Sequence, residues 1–189
     1  MRLPPRDAEL VQIVDSALAG ASRKAGSWLA CRVGCTQCCI GPFAITPLDA
    51  ARLQAGLADL ESRDPARATR VRRSAEESAA RLSREFTLEQ LLSEDAAGDN
   101  EPCPALDPDT GACDLYSARP ITCRTFGPPV RFGGEALAVC ELCFDGATGE
   151  EIAACEVDVD PGNLEGALLT ELEGGETIVA FALAAGGPE

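Results

Sequence analysis

The sequence predicts a small single domain of the α+β class, with a helical N-terminal half and an irregular, cysteine-rich half that contains short β-hairpins. Apolar residues recur at helical spacing in the first half, whereas turn signals separate short runs in the second. A chain of 189 residues with 46% hydrophobic residues suits one domain with its own core. We expect an N-terminal helix within residues 1–30, a cysteine-cluster core over residues 31–143 and an acidic C-terminal region over residues 144–189, packed on that core.

Four helices are predicted in the first half. Residues 7–20 carry apolar side chains every three or four positions, which is typical of an amphipathic helix. Thr46-Pro47 begins the second helix, because threonine can cap a helix and proline suits its first position. The third helix follows at residues 64–84, and Thr87-Leu-Glu-Gln90 is a capping box for a short fourth helix.

Two hairpins are predicted in the second half. Residues 108–111, Pro-Asp-Thr-Gly, form a strong turn signal, and a hairpin there would set Cys103 and Cys113 near each other. A second hairpin is predicted over residues 130–139, turning at Gly133-Gly134. The remaining predicted elements are a helical turn within residues 117–125, a short helix over residues 164–172 and, over residues 178–183, either a strand or a helix.

The charge of the chain argues against two classes of partner. The net charge is −15, and no lysine or arginine follows Arg131. Nucleic acid and anionic membranes would be repelled, so we expect neither as a partner, and a protein partner is not identified by the sequence. The N-terminus lacks the apolar segment of a secretory signal, and residues 177–185 are too short to span a bilayer, so we expect a cytoplasmic protein.

The ten cysteines form two blocks and one outlier. The first block, Cys31-Arg-Val-Gly-Cys35-Thr-Gln-Cys38-Cys39, holds four thiols in nine residues. The later cysteines are Cys103, Cys113, Cys123, Cys140, Cys143 and, as the outlier, Cys155. In a reducing cytosol, such clustering favours a metal or catalytic role over disulfides. The fold would then close around a metal centre.

The chemistry of that centre is restricted because the chain contains no histidine. An all-sulfur site suits structural zinc or an iron–sulfur cluster, and geometry alone does not separate the two. We prefer the iron–sulfur cluster, since the thiols exceed what one zinc ion needs. Cys38 and Cys39 are adjacent, so their side chains should diverge and one of them could serve a second centre. Two four-sulfur centres with one thiol spare are the alternative.

Two sequence blocks resemble a known family. CRVGCTQCC, followed by CPALDPDTGACDLYSARPITCRTFG, resembles the YkgJ-type cysteine-cluster family, whose CxxCxxCC domains are described as zinc- or iron-chelating. The resemblance covers roughly residues 31 to 143 and also marks Tyr116, Arg119 and Arg124. It implies metal binding through the cysteines and implies no particular reaction.

These observations predict a cytosolic metal-binding protein that acts in electron transfer or metal handling. The alternatives are a metal-stapled scaffold for protein interactions and an enzyme that uses an incompletely ligated cluster; a non-enzymatic role is favoured, and no catalytic residue is assigned. Cys155 is expected to belong to the core. The predicted metal ligands are Cys31, Cys35, Cys38, Cys39, Cys103, Cys113, Cys123, Cys140 and Cys143.

Overall fold

The computed structural model describes residues 2–32, 34–93, 98 and 100–185. Its helices are α1 Asp7–Ala25, α2 Pro47–Arg63, α3 Pro65–Glu85, α4 Leu88–Leu92, α5 Ile121–Thr125, α6 Gly149–Cys155, α7 Leu164–Leu169 and α8 Val179–Ala184. Its strands are β1 Ala44–Ile45, β2 Val130–Phe132, β3 Glu135–Ala136, β4 Val157–Asp158 and β5 Thr177–Ile178. The predicted α+β class, with a helical N-terminal half, is confirmed. Within the described ranges, no helix is both long and apolar enough to cross a membrane.

The chain divides into two compact units, each assembled from separate segments. The first unit comprises Met1–Leu3, Val33–Pro120 and Glu173–Glu189, and the second comprises Pro4–Arg32 and Ile121–Leu172. The single domain over residues 1–189, and the packing of its C-terminal region on the core, stay predictions.

Helices α2, α3 and α8 pack together in the first unit and bury its main apolar cluster. The short strands β1 and β5 pair antiparallel beside them, with Ala44 opposite Ile178. The predicted helix starts are confirmed, because the Thr46 hydroxyl accepts a hydrogen bond from the Asp49 amide at 3.2 Å and Pro47 takes the first helical position. At the next helix start, the Asp64 carboxylate accepts from the Arg67 amide at 3.1 Å.

The cap of α2 supports a direct test. Thr46→Ala removes the acceptor for the Asp49 amide and is expected to lower the free energy of unfolding by about 1 kcal/mol, measured by chemical denaturation. The matched control is Thr69→Ala, an exposed position within α3, where alanine is the better helix former and the change should be neutral or slightly stabilising. Equal losses in the two variants would contradict the capping role.

Helix α1 organises the second unit. It packs against α5, α6, α7 and β4, and buries Leu10, Val14 and Leu18. Strand β2 lies at the centre of a three-stranded sheet, antiparallel to β3 and parallel to β4. The predicted hairpin is confirmed with its turn at Gly133 and Gly134, which have positive φ angles of 59° and 87°.

Two elements differ from the predictions or add to them. The segment that fitted either a strand or a helix contains both, because β5 ends at Ile178 and α8 begins at Val179. Helix α6 was not predicted, although its sequence carries a capping box in which Thr148 and Glu151 bond each other's backbone amides.

Candidate metal centre

Four thiols of the first unit lie close enough to affect one another electrostatically. They belong to Cys38, Cys39, Cys103 and Cys113, which we call the Cys38 group. Two come from the first cysteine block and two from the second, so folding joins segments that are more than sixty residues apart in sequence.

Backbone pairing brings the two blocks together. The Cys103 amide donates to the Cys39 carbonyl at 2.7 Å, and Ile40 forms an antiparallel bridge with Pro102. The Gly41 amide donates to the Glu101 carbonyl at 2.8 Å and extends the same pairing. This short ladder fixes Cys39 beside Cys103.

A tight turn brings Cys113 back toward Cys103, as the turn signal predicted. Leu106 bridges Cys113 antiparallel, and the Asp107 carboxylate accepts hydrogen bonds from two amides within the turn. Gly111 has a φ angle of 67°, and a Cβ there would lie 3.7 Å from the Thr36 methyl group. The turn therefore lies against the loop of the first cysteine block.

An ion pair anchors the same hairpin to α3. The Asp114 carboxylate, whose side chain is 2% exposed, pairs with Arg70, and Arg67 lies 3.5 Å away. The Arg70 guanidinium also donates to the Leu106 carbonyl at 3.2 Å. These contacts hold Asp114, the residue directly after Cys113, against α3.

Cys38 and Cys39 lie in a 3₁₀ turn, Gln37–Cys39, and interact through their side chains. The hydrogen bond donated by the Cys39 thiol lowers the pKa of Cys38 to about 6, and the same bond raises the pKa of Cys39. The expected divergence of these adjacent side chains is therefore wrong for this turn, because the two thiols share a hydrogen bond.

Burial and one guanidinium set the electrostatics of the other thiols. Burial raises the pKa of Cys103 to about 12 and also raises that of Cys113. The positive charge of Arg119 opposes this effect at Cys113 and helps to lower the pKa of Cys38. Arg119 itself stacks on the Tyr116 ring, with 3.8 Å from its guanidinium carbon to the ring centroid.

The remaining predicted ligands are distributed between the units. Cys35 is half-buried in the loop that leads to Cys38. The second unit contains Cys31, which is exposed, Cys123, which is half-buried in α5, and the buried pair Cys140 and Cys143. Cys155, expected to be a core residue, is buried at the end of α6 in the same apolar cluster as that pair.

As the side chains stand, no three cysteine, aspartate or glutamate residues in the described part of the chain are arranged to hold a metal ion. The donor chemistry nevertheless fits, since the Cys38 group supplies four thiols, the ligands that zinc and iron–sulfur clusters accept. Ligation requires side-chain rotation and thiol deprotonation, so metal binding is coupled to local ordering.

A comparison with domain families matches the cysteine-rich part of the chain. The model described as "CxxCxxCC: Putative zinc- or iron-chelating domain" matches residues 30–143, which is more than half of the chain. The matched segment includes all nine predicted ligands and excludes Cys155. No curated protein and no solved structure matches the chain.

Proposed function

Because the chain belongs to the CxxCxxCC family of zinc- or iron-chelating domains, we propose that it carries electrons on an iron–sulfur cluster held by the Cys38 group. Cys38, Cys39, Cys103 and Cys113 are the proposed ligands. A cluster of this kind supplies one-electron oxidation and reduction at a potential set by its surroundings. The other predicted ligands stay predictions.

The side-by-side sulfurs of Cys38 and Cys39 carry the preference for a cluster over one zinc ion. A single tetrahedral ion needs its four donors spread around it, whereas two sulfurs hydrogen-bonded to each other from adjacent residues start on one side. A cluster offers several iron atoms, so neighbouring thiolates can bind different ones.

The surroundings of the Cys38 group also favour electron transfer. Cys103 and Cys113 pack against the apolar cluster of the first unit, which restricts water on that side. Cys38 and Cys39 are half-buried, and Tyr116, which carries the stacked Arg119, is 64% exposed. A centre with one apolar wall and one near the surface can exchange electrons with a docked partner.

The cysteine pattern of the chain favours a reducing location. Clustered thiols that serve as metal ligands persist where glutathione and thioredoxin keep them reduced, so we propose a cytosolic location.

The test is metal and sulfide analysis of the full chain purified without oxygen, followed by redox titration. A brown protein with stoichiometric iron and sulfide, broad absorption near roughly 400 nm and a reversible one-electron transition would support the proposal. A colourless protein that contains zinc and no iron would overturn the cluster. A cluster that cannot be reduced and reoxidised would overturn electron transfer.

Arg119 gives a second test, through the reduction potential. Reduction adds negative charge near Cys38 and Cys113, and the Arg119 charge favours that state. Arg119→Gln is therefore expected to lower the midpoint potential by about 40 mV, measured by spectroelectrochemistry.

Two variants control for effects other than charge. Arg119→Lys keeps the positive charge, so its midpoint potential should stay close to that of the unmutated protein. Arg63→Gln removes an exposed arginine that pairs with Asp59, and it should leave the potential unchanged. Equal potentials for Arg119→Gln and the unmutated protein would refute the electrostatic role.

A further inference from the structure

Three buried cysteines of the second unit share one apolar cluster. Cys140, Cys143 and Cys155 are 6%, 5% and 7% exposed, and Ala25 and Phe144 complete the buried part of the cluster. Cys155 comes from the last residue of α6, whereas the other two belong to the turn that precedes this helix. The fold therefore gathers donors from two segments, one of them outside the matched family segment.

The turn that carries Cys140 and Cys143 has an unusual backbone. The Cys143 amide donates to the Cys140 carbonyl at 2.8 Å, which closes the C-x-x-C turn. Phe144 follows in the left-handed region with a φ angle of 58°, where non-glycine residues are disfavoured. Strained residues of this kind cluster at functional sites, which is an observation independent of the cysteine cluster.

Contacts with the preceding segment hold Phe144 in that conformation. Its amide donates to the Trp28 carbonyl at 2.8 Å, and the two rings stack with centroids 6.2 Å apart. The chain continues from Trp28 through Leu29 and Ala30, which pack on the same cluster, to Cys31. The strained turn is therefore tied to the segment that delivers a fourth thiol.

The position of Cys31 depends on a glycine. A Cβ at Gly127 would come within 2.9 Å of the Cys31 sulfur, and the φ angle of 129° also disfavours other residues, so a larger residue there would displace the Cys31 side chain. The Gly127 carbonyl accepts a hydrogen bond from the Cys140 amide at 3.3 Å. Gly127 thus contacts both Cys31 and Cys140 and brings them to the same region of the unit.

We propose that Cys140, Cys143, Cys155 and Cys31 form a second metal site, which takes a single zinc-like ion and staples the second unit. None of these residues is adjacent to another in sequence, and three are buried, which suits a closed four-thiolate structural site. The thiols must rotate to a common centre, since the described side chains are not arranged as ligands as they stand. The site uses none of the Cys38 group and does not depend on the proposed cluster.

The experiment titrates Zn²⁺ alone into the full chain, purified without oxygen and stripped of metal, against a competing chelator. The background variant Cys38→Ser/Cys103→Ser removes two thiols of the Cys38 group and is expected to retain about one zinc ion per chain. Adding Cys155→Ala to this background is expected to lower the affinity for zinc by a factor on the order of 100. The matched control, Ile152→Ala, truncates a side chain of α6 that packs on the same cluster, and it should keep the affinity.

Two results would overturn the proposal: a background variant that binds no zinc, and a Cys155→Ala variant that binds zinc as tightly as the background. If circular dichroism shows that Cys155→Ala does not fold, alkylation mapping of the background decides instead. Zinc should slow alkylation of Cys155 together with Cys140 and Cys143, and equal rates at Cys155 with and without zinc refute its ligation. Unchanged iron content in the background variant would refute the cluster proposal alone.

Discussion

Replacing Cys103, a ligand of the proposed iron–sulfur cluster, by serine is expected to lower the iron content of the full chain to below about a tenth of the unmutated value. The backbone amide of Cys103 donates a hydrogen bond to the Cys39 carbonyl, and the Cys103 side chain packs on the apolar cluster of the first unit. A serine hydroxyl is a poor substitute, because it neither ionises readily nor offers a soft donor. Because metal binding and folding are coupled, the metal-loaded protein should also lose a few kcal/mol of unfolding free energy.

Elemental analysis and denaturation of the loaded and stripped proteins measure the two effects separately. Ala105→Ser is the matched control, since it adds a hydroxyl at a buried position of the same loop and removes no thiol. It should lose some stability and keep its iron. The ligand assignment of Cys103 is refuted if Cys103→Ser keeps full iron occupancy, or if it loses no more iron than Ala105→Ser does.

Much of the fold could be predicted because its signals are local. The hydroxyl groups of Thr46 and Thr87 accept hydrogen bonds from backbone amides, as expected of helix caps, and Pro47 starts a helix. Gly133-Gly134 turns a hairpin because both residues adopt positive φ angles. In each case, the residue type determines the backbone conformation of its own position or of residues a few positions away. Such elements can therefore be predicted without knowledge of tertiary contacts.

Other parts depend on contacts that the local sequence does not contain. Ile178 pairs with Ala44 and is therefore a strand residue, although it directly precedes the helix α8. Strand β4 runs parallel to β2 through the pairing of Val157 with Val130, and a two-residue strand has no detectable period. These elements form because a distant partner supplies the hydrogen bonds.

The sequence identified which cysteines were candidate ligands. It could not predict which of them the fold groups together. Cys31 and Cys39 are close in sequence, yet they belong to different units, because the boundary follows Arg32. Cys39 lies beside Cys103 because the backbone around Cys39 pairs with residues 101–103, and no sequence motif predicts this pairing. Cys155 was set apart because it lies beyond the family resemblance, and only the fold brings it to Cys140 and Cys143.

Gly56→Ala is expected to destabilise the first unit by about 3 kcal/mol and to weaken metal binding. A Cβ at Gly56, within α2, would lie 2.2 Å from the Cβ of Ala118, whereas carbon atoms in contact are normally about 3.5–4.0 Å apart. The neighbour is the end of a 3₁₀ turn, Tyr116–Ala118, so the whole turn must move. That turn leads directly to Arg119, and its displacement should disturb the Cys38 group.

The helix propensity of alanine acts in the opposite direction, so a matched glycine is needed to separate the two effects. Gly20 lies within α1, and a Cβ there would meet only the end of the Arg23 side chain at 3.9 Å. Gly20→Ala is therefore expected to stabilise the protein by up to about 1 kcal/mol and to leave the metal content unchanged. Chemical denaturation and metal analysis of both variants test the pair. If Gly56→Ala were as stable as Gly20→Ala, α2 and the 3₁₀ turn could not be packed as closely as this, and the link from α2 to Arg119 would fail with it.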